Sequence, residues 1–418
     1  MSGTAGRLVL ALAALNVLGF VDRQLIAALA PLLIADLGLS RAQVGLLVGA
    51  AFIVVFALGT LVMGALADRW SRTRLVACGL LGWSAGTGLS GTASGFLSLA
   101  AWRSLVGVGE ATLSPSALAL FAERVPPERL GFATSVFYAG IPVGFACSFA
   151  LAGWLAPRLG WRACFYALGL VGVLAGALVW RMGERQETVA SSRRPAAPGR
   201  AAEPAPGRLR KALGSQPALL MVASGGALLA YASASSQHVI TWLVQERGFA
   251  YARAAWLSAA VVAAAGLLGN VSLGAFSDRV RRGSGAGRLP AFVAVGVLAL
   301  AVSAAFYLLP VSSPLFFASW ALSQGWMLGW YGPLMAAVQE MAPGESRATV
   351  IAFTLLVVNL LGVAIGPWVT GLIGDRASLT RGLLTSVAVG AVGLLLLALA
   401  AARPGEPAPS PAPRRADR

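Results

Sequence analysis

The sequence predicts an all-α membrane protein, with twelve transmembrane helices forming two pseudo-symmetric six-helix bundles around a central cavity. Composition is the first reason. Of 418 residues, 57% are hydrophobic and 11% charged, with a mean hydropathy of +0.76. A soluble domain needs more charge to cover itself, so the bilayer is the natural solvent. Run length is the second reason. The apolar runs reach the ~20 residues that a spanning helix needs, and they are continuous rather than alternating, which disfavours a barrel. Internal similarity is the third. GALADRWSRTR from Gly64 and GAFSDRVRR from Gly274 share G-A-x-x-D-R at an offset of 210 residues.

The spans in order are 8–34, 41–66, 74–93, 96–123, 130–157 and 161–182, then 216–245, 252–278, 288–309, 313–340, 346–374 and 379–401. The first run continues through Asp22 and Arg23 into a full-length span, which does not suit a cleavable signal peptide. Span 2 opens on a capping box, Ser40 with Gln43 three residues later. The first bundle is residues 1–183 and the second 216–402. Between them, 184–215 contains AAPGRAAEPAPGR, the composition of a mostly disordered cytoplasmic linker. Its end, GRLRKALG from Gly207, suits a short amphipathic helix on the membrane surface. The tail, 403–418, reads as disordered.

Charge sets the orientation. Of the 32 Lys and Arg, 23 flank the spans on the N-terminal side and seven on the other. That asymmetry places both termini in the cytoplasm and the chain in the inner membrane of a cell. The net charge of +16 does not indicate a nucleic-acid partner. The basic residues, all Arg except Lys211, sit between apolar runs as anchors and not on one face. Cys78, Cys147 and Cys164 are scattered within apolar runs and read as small packing residues. His238 is the only histidine and lacks co-ligands, so no metal or other cofactor is expected. No nucleophile–base set lies at shared depth, and Lys211 is in no phosphate-binding loop, so neither an enzyme nor an ATP-driven pump is expected. The expected partners are the lipid bilayer, protons and an anionic small molecule or lipid, bound by a monomer.

Four ionisable residues lie inside spans: Asp22 and Arg23 in span 1, Arg103 and Glu110 in span 4. Each costs roughly 3 kcal/mol to insert, so the set demands pairing or a wet cavity. At ~1.5 Å per residue, Asp22 and Glu110 lie roughly 20 Å from the inner ends of their helices, and Arg103 about 10 Å further outward. A carboxylate against an apolar wall favours its protonated form, and an adjacent arginine favours its charged form. A substrate competing for the arginine releases the carboxylate to take a proton, which is a plan for coupling. Other polar residues concentrate in the first span of each triplet. Asn16 in span 1, Gln237 and His238 in span 7, and Gln324, Trp326 and Trp330 in span 10 are cavity candidates, with Tyr138 from span 5. Gly332-Pro333 breaks span 10 and makes Pro333 a gating candidate.

A second repeat supports duplication: PPERLGFAT from Pro126 and PGESRATVIAF from Pro343 precede spans 5 and 11. Six-span halves flanking a midplane site are a plan for secondary transporters. The chain resembles the major facilitator superfamily, which carries G-x-x-x-D-R-x-G-R-[RK] between spans 2 and 3. Gly64, Asp68, Arg69, Arg72 and Arg74 match, with Ser71 at the usual Gly. The resemblance implies that Asp68 docks near the start of span 11 and Asp278 near the start of span 5. Gating roles are implied for Gly64, Asp68, Arg69, Arg72 and Arg129, and for Gly274, Asp278, Arg279 and Arg347.

Within that family, Arg103, Gly107, Gly109, Glu110 and Ala111, followed by Pro115, are similar to the spinster branch. So is Gly140-Ile141-Pro142 with Gly144. Gly19-Phe20 departs from the branch's usual Asn-Tyr. The branch is associated with lysophospholipids and sphingoid phosphates. The resemblance implies proton-coupled transport of an amphipathic anion, with Asp22 and Glu110 carrying protons and Arg23 and Arg103 holding the headgroup. A symporter for sugar acids or small carboxylates and a multidrug/proton efflux protein remain alternatives. So, outside transport, does a membrane sensor or scaffold.

Overall fold

The structure is a computed structural model that describes residues 3–67, 70–126, 129–187, 207, 209–210, 213–214, 216–283, 288–343 and 346–403. Every long element is a helix. In the first bundle, α1 is Gly3–Leu37 and α2 is Arg41–Val48 continued by Ala50–Ala67. Then come α3, Arg72–Ser90, and α4, Phe96–Glu110 continued by Leu113–Arg124. Leu130–Tyr138 with Gly140–Leu159 makes α5, and Trp161–Glu187 makes α6.

In the second bundle, α7 is Ala218–Ser235, a tight turn at Ser236–His238, and Val239–Gln245. α8 is Tyr251–Val261, a wide π stretch at Val262–Gly266, and Leu267–Gly283. α9 is Leu289–Leu308, and α10 is Pro314–Gly329 with Tyr331–Met341. α11 is Arg347–Val357, a second π stretch at Val358–Val363, and Gly366–Arg376; α12 is Leu379–Ala401. Among the described residues, ten of these are long and apolar enough to cross a membrane. The other two, α3 and α10, pack within the bundles against α6 and α9.

The expected spans hold to within a few residues, with one clear difference. α6 runs on to Glu187, so residues 184–187 are helix rather than linker. Most of the linker, and the tail from 404, lie outside the described residues. Of the expected surface helix, Gly207, Leu209, Arg210, Leu213 and Gly214 are described and helical. The Ser40 capping box is present: Ser40 N donates to Gln43 Oε1 at 2.9 Å and Gln43 N to Ser40 Oγ at 3.1 Å. α1 ends at Gly38, whose φ of +63° is a left-handed conformation that favours glycine.

The two ends of the molecule are packed differently. At the end away from the chain termini, one apolar core spans both bundles. It joins Leu25, Leu29 and Leu33 of α1 to Trp242 of α7, Ala255 of α8, Phe316 of α10 and Leu383 of α12. At the terminal end the cores are largely separate, one around Trp83 and Phe121 that takes in only Ala364 and Val363 from the second bundle, the other around Leu334 and Trp326. The bundles therefore seal against each other at the far end. Helix α2 lies so close to α11 that a side chain on Gly45 would run into the Pro367 carbonyl. Asp375 of α11 caps the start of α2, accepting from the Arg41 and Ala42 amides at 2.9 Å each. These are amides that a helix start leaves unpaired. The Arg41 guanidinium reaches Gly374 O at 2.8 Å and Gln245 Oε1 at 3.0 Å.

At the terminal end, these ion pairs lie within single bundles. Arg72 pairs with Glu123. Arg288 pairs with Asp278 at 2.5 Å and Glu340 at 2.9 Å. In this conformation Asp278, expected to dock near the start of α5, is held by Arg288 just ahead of α9; residues 127–128, just ahead of α5, lie outside the described residues. Asp68 and Arg69 lie outside the described residues. Arg129, Arg279 and Arg347 are exposed at helix ends, and Gly64 and Gly274 face open space.

Candidate functional site

Glycine brings the buried charges together. A side chain on Gly109 would strike Trp83 of α3, and one on Gly107 would press on the Phe52 carbonyl of α2. Their absence lets α4 sink between α2 and α3 and carries Arg103 and Glu110 toward α1. The four charges then pair crosswise. Arg103 Nη1 donates to Asp22 Oδ1 at 3.2 Å, and Arg23 Nε donates to Glu110 Oε2 at 2.5 Å. The Thr87 hydroxyl of α3 also donates to Asp22. The two pairs differ in access: Asp22 and Arg103 are each 1% exposed and Glu110 2%, whereas the Arg23 side chain is 24% exposed.

An aromatic sleeve holds both cations. The Arg23 guanidinium lies 4.7, 5.0 and 4.4 Å from the rings of Phe20, Phe52 and Phe56, and Arg103 lies 4.9 Å from Phe52. Such contacts are worth about 2 kcal/mol when desolvated, and guanidinium tolerates them better than ammonium. Glu110 Oε1 and Arg103 Nε are buried with no partner among the described residues. Two cations and two carboxylates leave the layer neutral, and each charge relies on its partner.

Beside this layer lies an uncharged cavity of about 250 Å³. Gln24 of α1 and Phe145 and Phe149 of α5 form one side. Ser233, Ser236 and Gln237 of α7, Ser258 of α8, Gln324, Trp330 and Tyr331 of α10, and Asn359 of α11 form the other. Both π stretches line it, through Val262 and through Val358, Asn359 and Val363. Stretches of this kind inside α-helices are frequent at functional sites. Tyr138, 40% exposed, ends the first segment of α5, next to the break at Ala139.

The expected site residues divide accordingly. Asp22, Arg23, Arg103 and Glu110 come together, and Gln237, Gln324 and Trp330 line the cavity. Four others lie away from the cavity in this conformation. Arg103 is sealed beneath Asp22 and presents no surface to a headgroup in this conformation. Asn16 is buried and donates to Phe137 O at 2.7 Å, fastening α1 to α5 near the break at Ala139. His238 is buried with Nε2 2.8 Å from Pro367 O, facing α11. Trp326 packs on Phe292, ring centroids 5.3 Å apart, within the core of the second bundle. Pro333 does break α10, but at Trp330. Its ring denies Gly329 O the usual helical hydrogen bond, so one helix ends at Gly329 and the next starts at Tyr331.

Sequence reading missed Thr87, the three phenylalanines, Gln24, Ser258 and Asn359. Gln24 directly follows the Asp22-Arg23 pair, and Asn359 is a lone amide in an apolar run, so both carried a signal. The phenylalanines carried none, being ordinary membrane residues.

Two helical bundles closed at one end, with paired charges and a cavity at the centre, define a polytopic carrier-type membrane protein. The pattern of the Major Facilitator Superfamily matches residues 12–367, and the chain belongs to that family. It is 32% identical over 400 residues to an MFS-type efflux pump of Mycolicibacterium smegmatis, covering 93% of this chain and 88% of the relative. It is 28% identical over 194 residues to a hexuronate transporter of Bacillus subtilis, 46% of this chain and 44% of that one. Among solved structures, a bacterial homologue of the human lysosomal transporter Spinster, inward-facing and unoccupied, superposes with a TM-score of 0.83. That match is at 21% identity and covers 96% of this chain and 98% of the other. The fold is thus that of a membrane transporter.

Proposed function

We propose that the chain is a proton-coupled secondary transporter of an amphipathic organic anion, working as a monomer by alternating access. The observation that carries this reading is the crossed pairing. Arg23, partly exposed, neutralises Glu110, while Arg103 and Asp22 neutralise each other out of reach. An anion arriving from the cavity competes with Glu110 for Arg23. Glu110 then stands as an uncompensated buried charge, and protonation removes that cost. Release of the anion returns Arg23 to Glu110 and expels the proton. In this reading anion and proton occupy the site together. The Arg and Lys asymmetry supports both termini on the cytoplasmic side of the inner membrane, with the sealed end facing outward.

The spinster-like run around Arg103 and Glu110 supports an anion of the lysophospholipid or sphingoid-phosphate kind. A compact sugar acid is the second reading, favoured by the polar side chains lining the cavity in the second bundle and by the hexuronate transporter among the relatives. Proteoliposomes loaded with labelled lysophosphatidate or glucuronate test both. Flux of one of them that rises with an imposed proton gradient supports the carrier reading. Flux of neither, at any gradient, contradicts it.

A further inference from the structure

We infer that the uncharged cavity is a hydrogen-bond-donor-reading subsite, which takes a hydroxyl-bearing part of the transported anion. The inference rests on the carrier reading for the anion's identity, but its own argument concerns the cavity alone. At its wall two serine hydroxyls have spent their hydrogens on helix carbonyls, and the Asn359 amide has committed one of its two. The Ser233 hydroxyl donates to Met327 O at 2.9 Å, Ser236 to Ser233 O at 2.6 Å, and the Asn359 amide to Leu355 O at 2.8 Å. Toward the cavity these groups offer oxygen lone pairs. Three more oxygens, Gln24 Oε1, Gln237 Oε1 and Ser258 Oγ, are buried and find no partner among the described residues. Gln24 and Ser258 are 4% and 3% exposed, so bulk water does not satisfy them. Buried acceptors left unpaired are costly, and a ligand that supplies donors removes that cost.

The charge of the lining selects the donor. Among the described residues, no acidic side chain lines the cavity. An ammonium group would enter without a counter-charge, which a low-dielectric site penalises heavily. Hydroxyls bring donors without charge, and they pair with either end of a glutamine amide. The charged layer and this cavity thus divide one substrate between them, the acidic group to Arg23 and an adjoining hydroxylated segment to the glutamines and serines.

Binding to the purified full chain in nanodiscs tests this with two matched pairs. One pair is dodecanoyl lysophosphatidate and dodecyl phosphate, which lacks the glycerol hydroxyl. The other is gluconate and hexanoate. In whichever pair binds, the hydroxylated member is expected to bind about tenfold tighter or more, because a site built for hydroxyls rejects analogues that lack them. In Gln237→Leu, and separately in Ser258→Ala, that preference is expected to fall below threefold. An unshifted melting point shows that each variant is folded. Equal binding of a hydroxyl-free member, a preference that survives both variants, or no binding in either pair overturns the inference. The carrier reading fails on a different observation, the absence of proton-dependent flux.

Discussion

The two bundles share one plan and differ in what they place at the centre of the membrane. The first concentrates charge: four ionisable side chains cross-paired within an aromatic sleeve. The second has none there among the described residues. It offers amides, hydroxyls and indoles around a cavity, on helices interrupted by a tight turn, a proline break and two π stretches. Charge in a membrane is tolerable only when each group is held by a partner, so the first bundle holds its four charges close even though α4 is interrupted just after Glu110. Gly107 and Gly109 and the close α3–α4 contact serve that end. Neutral polar groups tolerate partial satisfaction, so the second bundle can be irregular and present unpaired oxygens. In the proposed cycle, proton exchange and substrate reading thereby fall to different bundles.

Unbalancing the charge of the first bundle should do the most damage. Arg103→Leu leaves Asp22 without its cation and is expected to cost about 3–5 kcal/mol, seen as a large fall in melting temperature or loss of the folded protein. The double variant Asp22→Leu/Arg103→Leu is expected to recover much of that stability. Phe52→Leu removes a ring shared by both guanidiniums. A loss of about 1–2 kcal/mol in thermal unfolding is expected, and none at all would mean that the sleeve is incidental.

The far-end seal is a weaker, more local device. Asp375→Asn removes the charge from the cap on α2 and is expected to cost about 1 kcal/mol there. In a background lacking the three native cysteines, alkylation of a cysteine at Val44 should then rise several-fold. An unchanged rate contradicts the role given to the seal. The mildest change belongs to the second bundle. Trp326→Phe should leave substrate affinity within about twofold, because Trp326 packs away from the cavity. Trp330→Phe should change it more.

Much of this was legible in the sequence, for reasons of cost. A carboxylate or guanidinium in an apolar run is conspicuous, so Asp22, Arg23, Arg103 and Glu110 stand out by residue type alone. Their depth was legible too, since helical rise is fixed. Their pairing was not. Depth alone sets Asp22–Arg23 against Glu110, with Arg103 aside. The long arginine side chain lets Arg103 reach Asp22 from its more outward position. Local breaks defeated the other readings. Trp326 and Trp330, four apart, share a face on an unbroken helix, but the break at Trp330 turns them to different neighbours. His238 sits in a tight turn that aims it at Pro367. The π stretches add a residue to a turn without altering the apolar pattern, so nothing in periodicity marked Asn359 as cavity-lining. Residues with no polar signature, Phe20, Phe52 and Phe56, became visible only through what they touch.

At the heart of the proposed mechanism, Glu110 exchanges Arg23 for a proton when the anion arrives. The decisive measurement compares uphill uptake with downhill exchange of the same labelled anion in Glu110→Gln proteoliposomes. Proton-driven accumulation is expected to be lost while anion exchange across the membrane continues, since a glutamine at this position is neutral throughout the cycle. Full accumulation by the variant under a proton gradient would contradict the mechanism.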